Sequence, residues 1–266
     1  MANIFKNIFT KNSPKESLRT KLNIDQLIVK KTIVSFFFFF VLMGAGFWGW
    51  KWLRHQRADA DGARPQLRAV LNTNEKIFSA LLSDNHLAKE YPLSEAVKNV
   101  RVNGRDGLRT PLDSTNWRLN VIRKNGDTLA LTLDDIKKLP KTDIVFNFKC
   151  IEGWNQITHW GGVKFSDFVK AYGLNQETSM KYMGLVTPDK GYYVGIDMPS
   201  AMHPQTILCY EMNGKPLPLD QGYPLRLIIP VKYGIKHLKR IGTMFFDNKK
   251  PGDFWAERGY DYFSGL

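Results

Sequence analysis

An 18-residue run without a charged side chain, residues 33–50, constrains this chain more than any other feature of its sequence. About 20 consecutive apolar residues span the hydrocarbon core of a bilayer, and slightly fewer suffice when the ends are anchored. Trp48, Trp50 and Trp52 stand at the end of the run, where membrane helices are enriched in interfacial tryptophan. The pattern predicts a transmembrane helix over residues 32–53.

The charges that flank the run predict its orientation. Residues 1–31 carry seven basic and two acidic side chains, whereas three basic residues, Lys51, Arg54 and Arg57, follow the run. Positive charge favours the cytoplasmic side of a membrane. The expected topology is a single pass through the inner membrane, with a cytoplasmic N-terminus and a periplasmic catalytic domain. A cleavable signal peptide is the alternative, with Ala58-Asp59-Ala60 as a candidate cleavage site.

The rest of the chain has the composition of a globular enzyme. Its 266 residues include 13% aromatic residues, and the net charge is +13. Membrane topology explains the basic tail better than nucleic-acid binding does, so no nucleic-acid partner is predicted. The expected organisation is a basic tail over 1–31, an anchor over 32–53, a linker and helical segment over 54–90, and a catalytic domain over 91–266.

Alternating apolar residues and turn signals predict a strand-heavy α+β domain. Helical periodicity covers residues 65–90, with Asn72 and Glu75 as the capping box of a second helix. Asn125-Gly126 lies between two alternating runs and predicts a β-hairpin. Further strands are expected at 144–150, 182–186, 192–196, 207–212 and 225–230, and short helices at 133–139 and 163–172.

Cys150 is the first candidate for chemistry. Every second residue from Ile144 to Cys150 is apolar, as in a strand with one buried face. The thiol therefore ends a strand just before a turn at Gly153, where it would be held rigidly and could reach a cleft. A packed core cysteine is an equally good interpretation of the spacing alone. The second cysteine, Cys209, lies in an apolar run and is better explained as a core residue.

A second stretch, residues 221–239, concentrates basic side chains around a strand and a glycine-containing turn. Arg226 opens the strand, and Lys236, His237 and Lys239 follow the glycine. Guanidinium and ammonium groups suit phosphate, whereas a solvated basic face is the simpler interpretation of such a run. The P-loop, dinucleotide-fingerprint and G-x-S-x-G patterns are absent from the sequence.

Three separated motifs resemble the molybdopterin-binding domain of the sulfite oxidase family. They are C-I-E-G-W at 150–154, M-H-P-Q-T-I-L-C-Y-E-M-N-G at 202–214, and G-Y-P-L-R-L followed by Y-G-I-K-H-L-K within 222–239. The chain is more similar to the catalytic subunits of bacterial molybdopterin-type protein-methionine-sulfoxide reductases, whose cysteine motif is C-V-E-A-W. The resemblance covers about residues 90–246 and implies a mixed α+β fold of the sulfite oxidase type.

The resemblance also implies a molybdenum–molybdopterin cofactor, with the Cys150 thiolate as a ligand of molybdenum. Glu152 is expected near the metal, as a proton relay or a water-orienting group, and a structural salt bridge is its alternative role. Trp154 and Trp160 are expected to wall the pocket. Gln221 stands where the reductases carry asparagine. The implied cofactor-binding residues are Asn103, Thr187, Gln221, Arg226, Lys236, His237 and Lys239.

The implied reaction is a two-electron oxygen-atom transfer that reduces S-oxides or N-oxides such as methionine sulfoxide. The alternatives are sulfite oxidation on the same fold and a cofactor-free binding module at the membrane. No haem domain is recognised in the sequence, so a separate electron donor is expected, and a membrane haem protein would suit an anchored enzyme. Relatives with this cofactor usually carry a twin-arginine signal, whereas Lys30-Lys31 precedes the apolar run here, which leaves the export route open.

Overall fold

The computed structural model describes residues 24–57, 63–83 and 85–265. Most of the predicted cytoplasmic tail and the candidate cleavage site at 58–60 lie outside these residues. The chain divides into two compact units, Met1–Gln56 and Arg57–Leu266.

The first unit is described by one long helix, α1, at Ile24–His55. Its side chains from Gln26 onward are almost all exposed, and most of them are apolar. The segment Gln26–His55 is long and apolar enough to cross a membrane, and a signal sequence would satisfy the same criteria. The predicted helix over 32–53 is thus present and extends further toward the N-terminus.

The second unit is a mixed α+β domain with two five-stranded sheets. The first sheet has the strand order β2-β1-β10-β5-β6, in which only the β1–β10 pair is parallel. The second sheet has the order β3-β4-β7-β8, with β9 also paired to β7. The strands are β1 Leu119–Ile122, β2 Thr128–Leu131, β3 Lys141–Lys149, β4 Asn155–Lys164, β5 Tyr182–Val186, β6 Tyr193–Asp197, β7 Ile207–Met212, β8 Lys215–Pro216, β9 Arg226–Ile228 and β10 Thr243–Asp247, and the helices are α2 Pro65–Leu81, α3 Leu133–Lys137, α4 Phe165–Ala171 and α5 Met198–Ala201.

Strand β7 divides the hydrophobic interior into two clusters. Leu208 and Tyr210 belong to the main core, which includes residues from both sheets. Ile207 and Cys209 point to the opposite face and belong to a smaller cluster on strands β3, β4, β7 and β9. Cys209 is fully buried there, as predicted for a core cysteine. The smaller cluster also includes residues that line the candidate site described below.

The predicted hairpin and most predicted strands are present, with boundaries shifted by one to three residues. The prediction of a second helix at Asn72 was wrong, since α2 is one continuous helix from Pro65 to Leu81. Strands β8 and β10 were not predicted, and neither was β4. Residues 158–163 within it are all buried, because both faces of the strand are covered, and the sequence therefore lacks the alternation of a half-exposed strand.

Gly162 allows β4 and β7 to approach closely where their register shifts between Gly161 and Gly162. A Cβ atom at residue 162 would lie 2.7 Å from the Cα of Cys209 and 2.8 Å from the carbonyl carbon of Leu208. Both are backbone atoms of a central strand, so no side-chain rotation relieves the clash.

We therefore expect Gly162→Ala to lower the free energy of unfolding by about 1–3 kcal/mol, as overpacking does in other cores. Urea denaturation followed by tryptophan fluorescence measures this difference. Gly191→Ala is the matched control, since its added Cβ meets only the Asp189 side chain, at 3.3 Å. Equal stability of the two variants would contradict the close approach of β4 and β7.

Candidate active site

Cys150 lies directly after β3, at the start of a tight turn. The turn is closed by the Gly153 N–H, which donates to the Cys150 carbonyl at 3.0 Å, and by the Cys150 N–H, which donates to the Trp154 carbonyl at 2.9 Å. Gly153 has a φ of +91°, a backbone conformation that favours glycine. The predicted position of the thiol at a strand end, before a glycine turn, is therefore confirmed.

Two N–H groups point at the Cys150 sulfur. The Asn103 amide donates to Sγ at 3.0 Å, and the backbone N–H of Glu152 donates to the same atom. Burial and the charge of Glu152 raise the pKa of the Cys150 thiol, while these donors and the charge of Arg101 oppose that rise. Because N–H donors stabilise a sulfur that carries negative charge, the surroundings of Sγ suit a thiolate ligand.

A cleft of about 280 Å³ lies beside the Cys150 turn. Its volume is close to the lower end of the roughly 300–1,000 Å³ that is usual for small-molecule sites. The wall includes the aromatic side chains Phe148, Trp154, Trp160, Tyr192, Trp255 and Tyr260 and the polar or charged side chains Arg101, Asn103, Asp106, Glu152, Gln221, Arg226, His237 and Lys239.

Arg226 contributes a buried positive charge to the cleft. Its side chain is 2% exposed, and burial lowers its pKa to about 10. The guanidinium donates to the backbone and side-chain oxygens of Gln221 at 3.0 Å and lies 4.5 Å from the ring centre of Trp160. Its Nε has no hydrogen-bond partner, and none of the ion pairs in the described part of the chain involves it. A buried cation with an unsatisfied donor fits an anionic or carbonyl-bearing ligand.

Gln221 links Arg226 to the loop before β1. Its amide nitrogen donates to the carbonyls of Val100 and Arg101 at 3.3 Å, while its side-chain oxygen accepts from Arg226. Both ends of the side-chain amide are therefore engaged. Gln221 thereby positions Arg226 within the wall of the cleft.

His237 presents an unpartnered acceptor. Burial, followed by the charge of Arg226, lowers its pKa to about 3, so the imidazole is neutral. Nε2 lies 3.1 Å from the Lys232 carbonyl, which assigns the proton to that nitrogen. Nδ1 is then an acceptor, and it is buried without a partner.

Lys239 donates from Nζ to three backbone carbonyls, of Asn103 at 2.6 Å, Asp220 at 3.0 Å and Gly104 at 3.1 Å. No carboxylate forms an ion pair with it among the described residues. Burial, followed by the charge of Arg226, lowers the pKa of Lys239 to about 7. Its ammonium group thus links the loop at residues 103–104 to the segment that contains Asp220.

Glu152 is exposed at the cleft, two residues after the thiol. Its Oε2 accepts a hydrogen bond from Trp154 Nε1 at 3.0 Å, and the ring of Trp154 lies 4.8 Å from the guanidinium carbon of Arg101. None of the ion pairs in the described residues involves Glu152, so the alternative role in a structural salt bridge is not observed. Trp154 therefore orients the carboxylate of Glu152, which remains exposed at the cleft.

Thr187 and Lys236 do not contribute side chains to the wall of this cleft. The Thr187 hydroxyl bonds to Asp189 at 2.6 Å and borders a separate cavity of about 490 Å³. The Lys236 ammonium donates to the Gly195 carbonyl at 3.0 Å and to the Asp253 carboxylate. Their assignment to the cofactor therefore remains a prediction from the resemblance alone.

Several residues of the wall were missed by the sequence argument. Trp154 and Trp160 were predicted to line a pocket and do so, but Arg101, Tyr192 and Trp255 were not singled out. Trp255 and Tyr260 lie after the last predicted strand, in a segment without a recognisable motif. Their rings form an edge-to-face pair with centres 5.1 Å apart. Only the tertiary fold brings this segment to the cleft.

The residues present fit a molybdopterin cofactor. A buried sulfur that accepts two N–H bonds suits a thiolate bound to a metal. The free Nδ1 of His237 and the free Nε of Arg226 suit the donors and acceptors of a pterin. Arg226 and Lys239 supply positive charge for a phosphate.

The depressed pKa of Lys239 predicts how stability depends on pH in the cofactor-free protein. The unfolded chain keeps this proton up to a pKa near 10.5, whereas the folded chain releases it near pH 7. Stability therefore rises with pH between these values, and this lysine contributes about 2 kcal/mol between pH 7 and pH 9. Urea denaturation should show a flatter pH dependence for Lys239→Met. The exposed Lys124→Met should keep the wild-type slope, and equal slopes in all three proteins would contradict the burial of Lys239.

Comparisons with known proteins agree with this chemistry. The chain is 36% identical over 210 residues to the putative protein-methionine-sulfoxide reductase subunit YedZ1 of Azospira oryzae, covering 78% of this chain and 79% of that protein. It is 29% identical over 176 residues to the protein-methionine-sulfoxide reductase catalytic subunit MsrP of Campylobacter jejuni, with 60% of this chain and 59% of that protein covered. It is 30% identical over 188 residues to mitochondrial sulfite oxidase of Rattus norvegicus, with 60% of this chain and 34% of that protein covered.

The chain thus spans less than two thirds of the MsrP and sulfite oxidase relatives. Among solved structures it is similar to the sulfane dehydrogenase SoxCD from Paracoccus pantotrophus, with a TM-score of 0.47 and 19% identity over 53% of this chain and 40% of that chain. Residues 107–255 match the family described as oxidoreductase molybdopterin binding domain. On the strength of that match and of the Azospira relative, the chain belongs to the molybdopterin oxidoreductases of the sulfite oxidase family.

Proposed function

We propose that this protein is a membrane-anchored molybdenum oxidoreductase with a sulfite-oxidase-type fold that reduces S-oxides, with methionine sulfoxide as the favoured substrate and N-oxides as a related class. The observation that carries this proposal is the cleft beside the Cys150 turn, whose wall combines six aromatic side chains with hydrogen-bond donors. The names of the Azospira and Campylobacter relatives support the same substrate.

The charges of the cleft favour a neutral substrate over sulfite. Its cations are Arg101, Arg226 and Lys239, the last of which already donates to three backbone carbonyls, and its carboxylates are Asp106 and Glu152. Arg226 is buried against Gln221, which leaves Arg101 as the accessible guanidinium. Sulfite oxidation would require several positive groups converging on a dianion. A sulfoxide needs an apolar surface for its carbon chain and a donor for its oxygen, and the cleft offers both.

The reaction converts a sulfoxide, two electrons and two protons into a thioether and water. When bound, the molybdenum cofactor supplies two-electron oxygen-atom transfer. Cys150 would hold the metal through Sγ, and the Asn103 amide and the Glu152 N–H would stabilise the negative charge on that sulfur. The Glu152 side chain, oriented by Trp154, would take up a proton from solvent and relay it to the substrate oxygen.

The polar wall holds the pterin and its phosphate. His237 Nδ1, which lacks a partner, would accept a hydrogen bond from a pterin N–H, and Arg226 Nε would donate to an acceptor on the same group. Lys239 would bind the phosphate, and the anion would favour the charged form of this lysine. Gln221 positions Arg226, and the roles of Thr187 and Lys236 follow from the resemblance.

The domain organisation and location are part of the proposal. The tail over 1–31 is cytoplasmic, α1 anchors the chain through 32–53, and residues 54–90 connect it to a periplasmic catalytic domain at 91–266. Electrons come from a separate donor, for which a haem protein of the inner membrane is the natural class. Damaged methionines in envelope proteins would then be accessible substrates.

Cys150→Ser should lower methionine sulfoxide reduction by more than about 100-fold, because even the outer partners of a metal ligand contribute about 10- to 100-fold. Turnover with reduced viologen as electron donor measures the loss, and circular dichroism checks the fold. Cys209→Ala, which removes the other thiol from the core, should retain activity. Wild-type turnover in Cys150→Ser would refute the ligand assignment, and faster turnover with sulfite than with sulfoxide would refute the substrate.

Protease treatment of intact spheroplasts should digest the catalytic domain, because the charge bias of 1–31 places the N-terminus in the cytoplasm. A short N-terminal fragment containing α1 should remain with the membrane. A cytoplasmic marker protein serves as the control for spheroplast integrity. Protection of residues 54–266 until lysis would place the domain in the cytoplasm, and recovery of a soluble, shortened chain would identify α1 as a cleaved signal.

A further inference from the structure

Helix α2 carries an apolar face that the described structure leaves exposed. Leu67, Val70, Ile77, Phe78 and Leu81 are each between 48% and 67% exposed, and α2 has no buried residue. At 100° per residue these five side chains fall within an arc of about 100°, the width of the apolar stripe that surface helices normally turn toward a core. Among the described residues, this stripe therefore has no core to cover.

A polar side of α2 holds the helix to the catalytic domain. Arg68 donates to the Ala256 carbonyl at 2.9 Å, and Glu75 forms an ion pair with Lys250 at 2.7 Å. The usual arrangement of an amphipathic helix is thus reversed, with polar contacts toward the protein and apolar residues away from it. An arrangement of this kind indicates that the apolar face meets a second surface.

The chain connection and the size of the face favour a lipid surface. Nine residues, 56–64, join α1 to α2, and they can span at most about 30 Å. The five side chains present on the order of 500 Å² of accessible apolar area. That is less than the roughly 800 Å² per partner of a stable protein interface, whereas amphipathic helices bind bilayers through such a face.

We propose that α2 lies on the bilayer surface, with its apolar face inserted between the lipid headgroups and the acyl chains. The inference rests on the proposed anchoring of the chain by α1. Ala256, which α2 contacts, directly follows Trp255 in the wall of the cleft. Docking of α2 would therefore hold that wall within about one helix diameter, roughly 10–12 Å, of the membrane surface.

Photo-crosslinking of the full chain in lipid nanodiscs tests this placement. The photoreactive residue benzoylphenylalanine replaces Phe78 on the apolar face, Asn72 on the exposed polar side of α2, or Phe40 within α1, one position at a time. Lipid adducts are then quantified by mass spectrometry of the irradiated protein. We expect at least tenfold more lipid adduct at position 78 than at position 72, and strong labelling at position 40.

The position in α1 separates failure of this inference from failure of the anchor. Lipid adducts at position 40 with none at position 78, or equal adducts at positions 72 and 78, would overturn the docking of α2 while leaving the anchor intact. Absence of adducts at position 40 would overturn both. In native membranes, a protein adduct in place of a lipid adduct at position 78 would overturn the lipid surface in favour of a partner subunit.

Discussion

The candidate site depends on the contacts of one buried cation, the guanidinium of Arg226. A charge removed from water is costly unless its hydrogen bonds are replaced, and here Gln221 supplies two oxygens while Trp160 supplies its ring face. Gln221 in turn holds the carbonyls of Val100 and Arg101. Through these contacts, Arg226 connects strand β9, strand β4 and the loop that brings Asn103 to the Cys150 sulfur.

The parts of the site that sequence predicts are those governed by local rules. Alternation placed Cys150 at a strand end, and a glycine with positive φ followed where a turn required it. Strand β4 was missed because both of its faces are buried, so no alternation is visible. The sequence also could not show that the side chains of Thr187 and Lys236 have partners outside the cleft, since side-chain direction there depends on contacts with distant residues.

The C-terminal segment illustrates a second limit of local reasoning. Trp255 and Tyr260 complete the cleft, and beyond them Phe263 lies against the ammonium group of the buried Lys232, which is paired with Asp197 at 2.8 Å. The Lys232 backbone also bridges to Gly265. These contacts join residues that are distant in sequence. No local sequence pattern around any of these residues predicts them. The buried Lys232 thus holds the segment that follows the wall of the cleft.

The near-neutral pKa of Lys239 has a consequence for how the enzyme would be assembled. In the cofactor-free protein this lysine is about half protonated at neutral pH. An anionic group that binds beside it stabilises the ammonium form, so loading takes up a fraction of a proton from the solvent. Affinity would then be nearly constant in mild acid and would weaken as the medium becomes alkaline. Assembly of the holoenzyme would thereby be sensitive to the acidity of the compartment in which the cofactor is inserted.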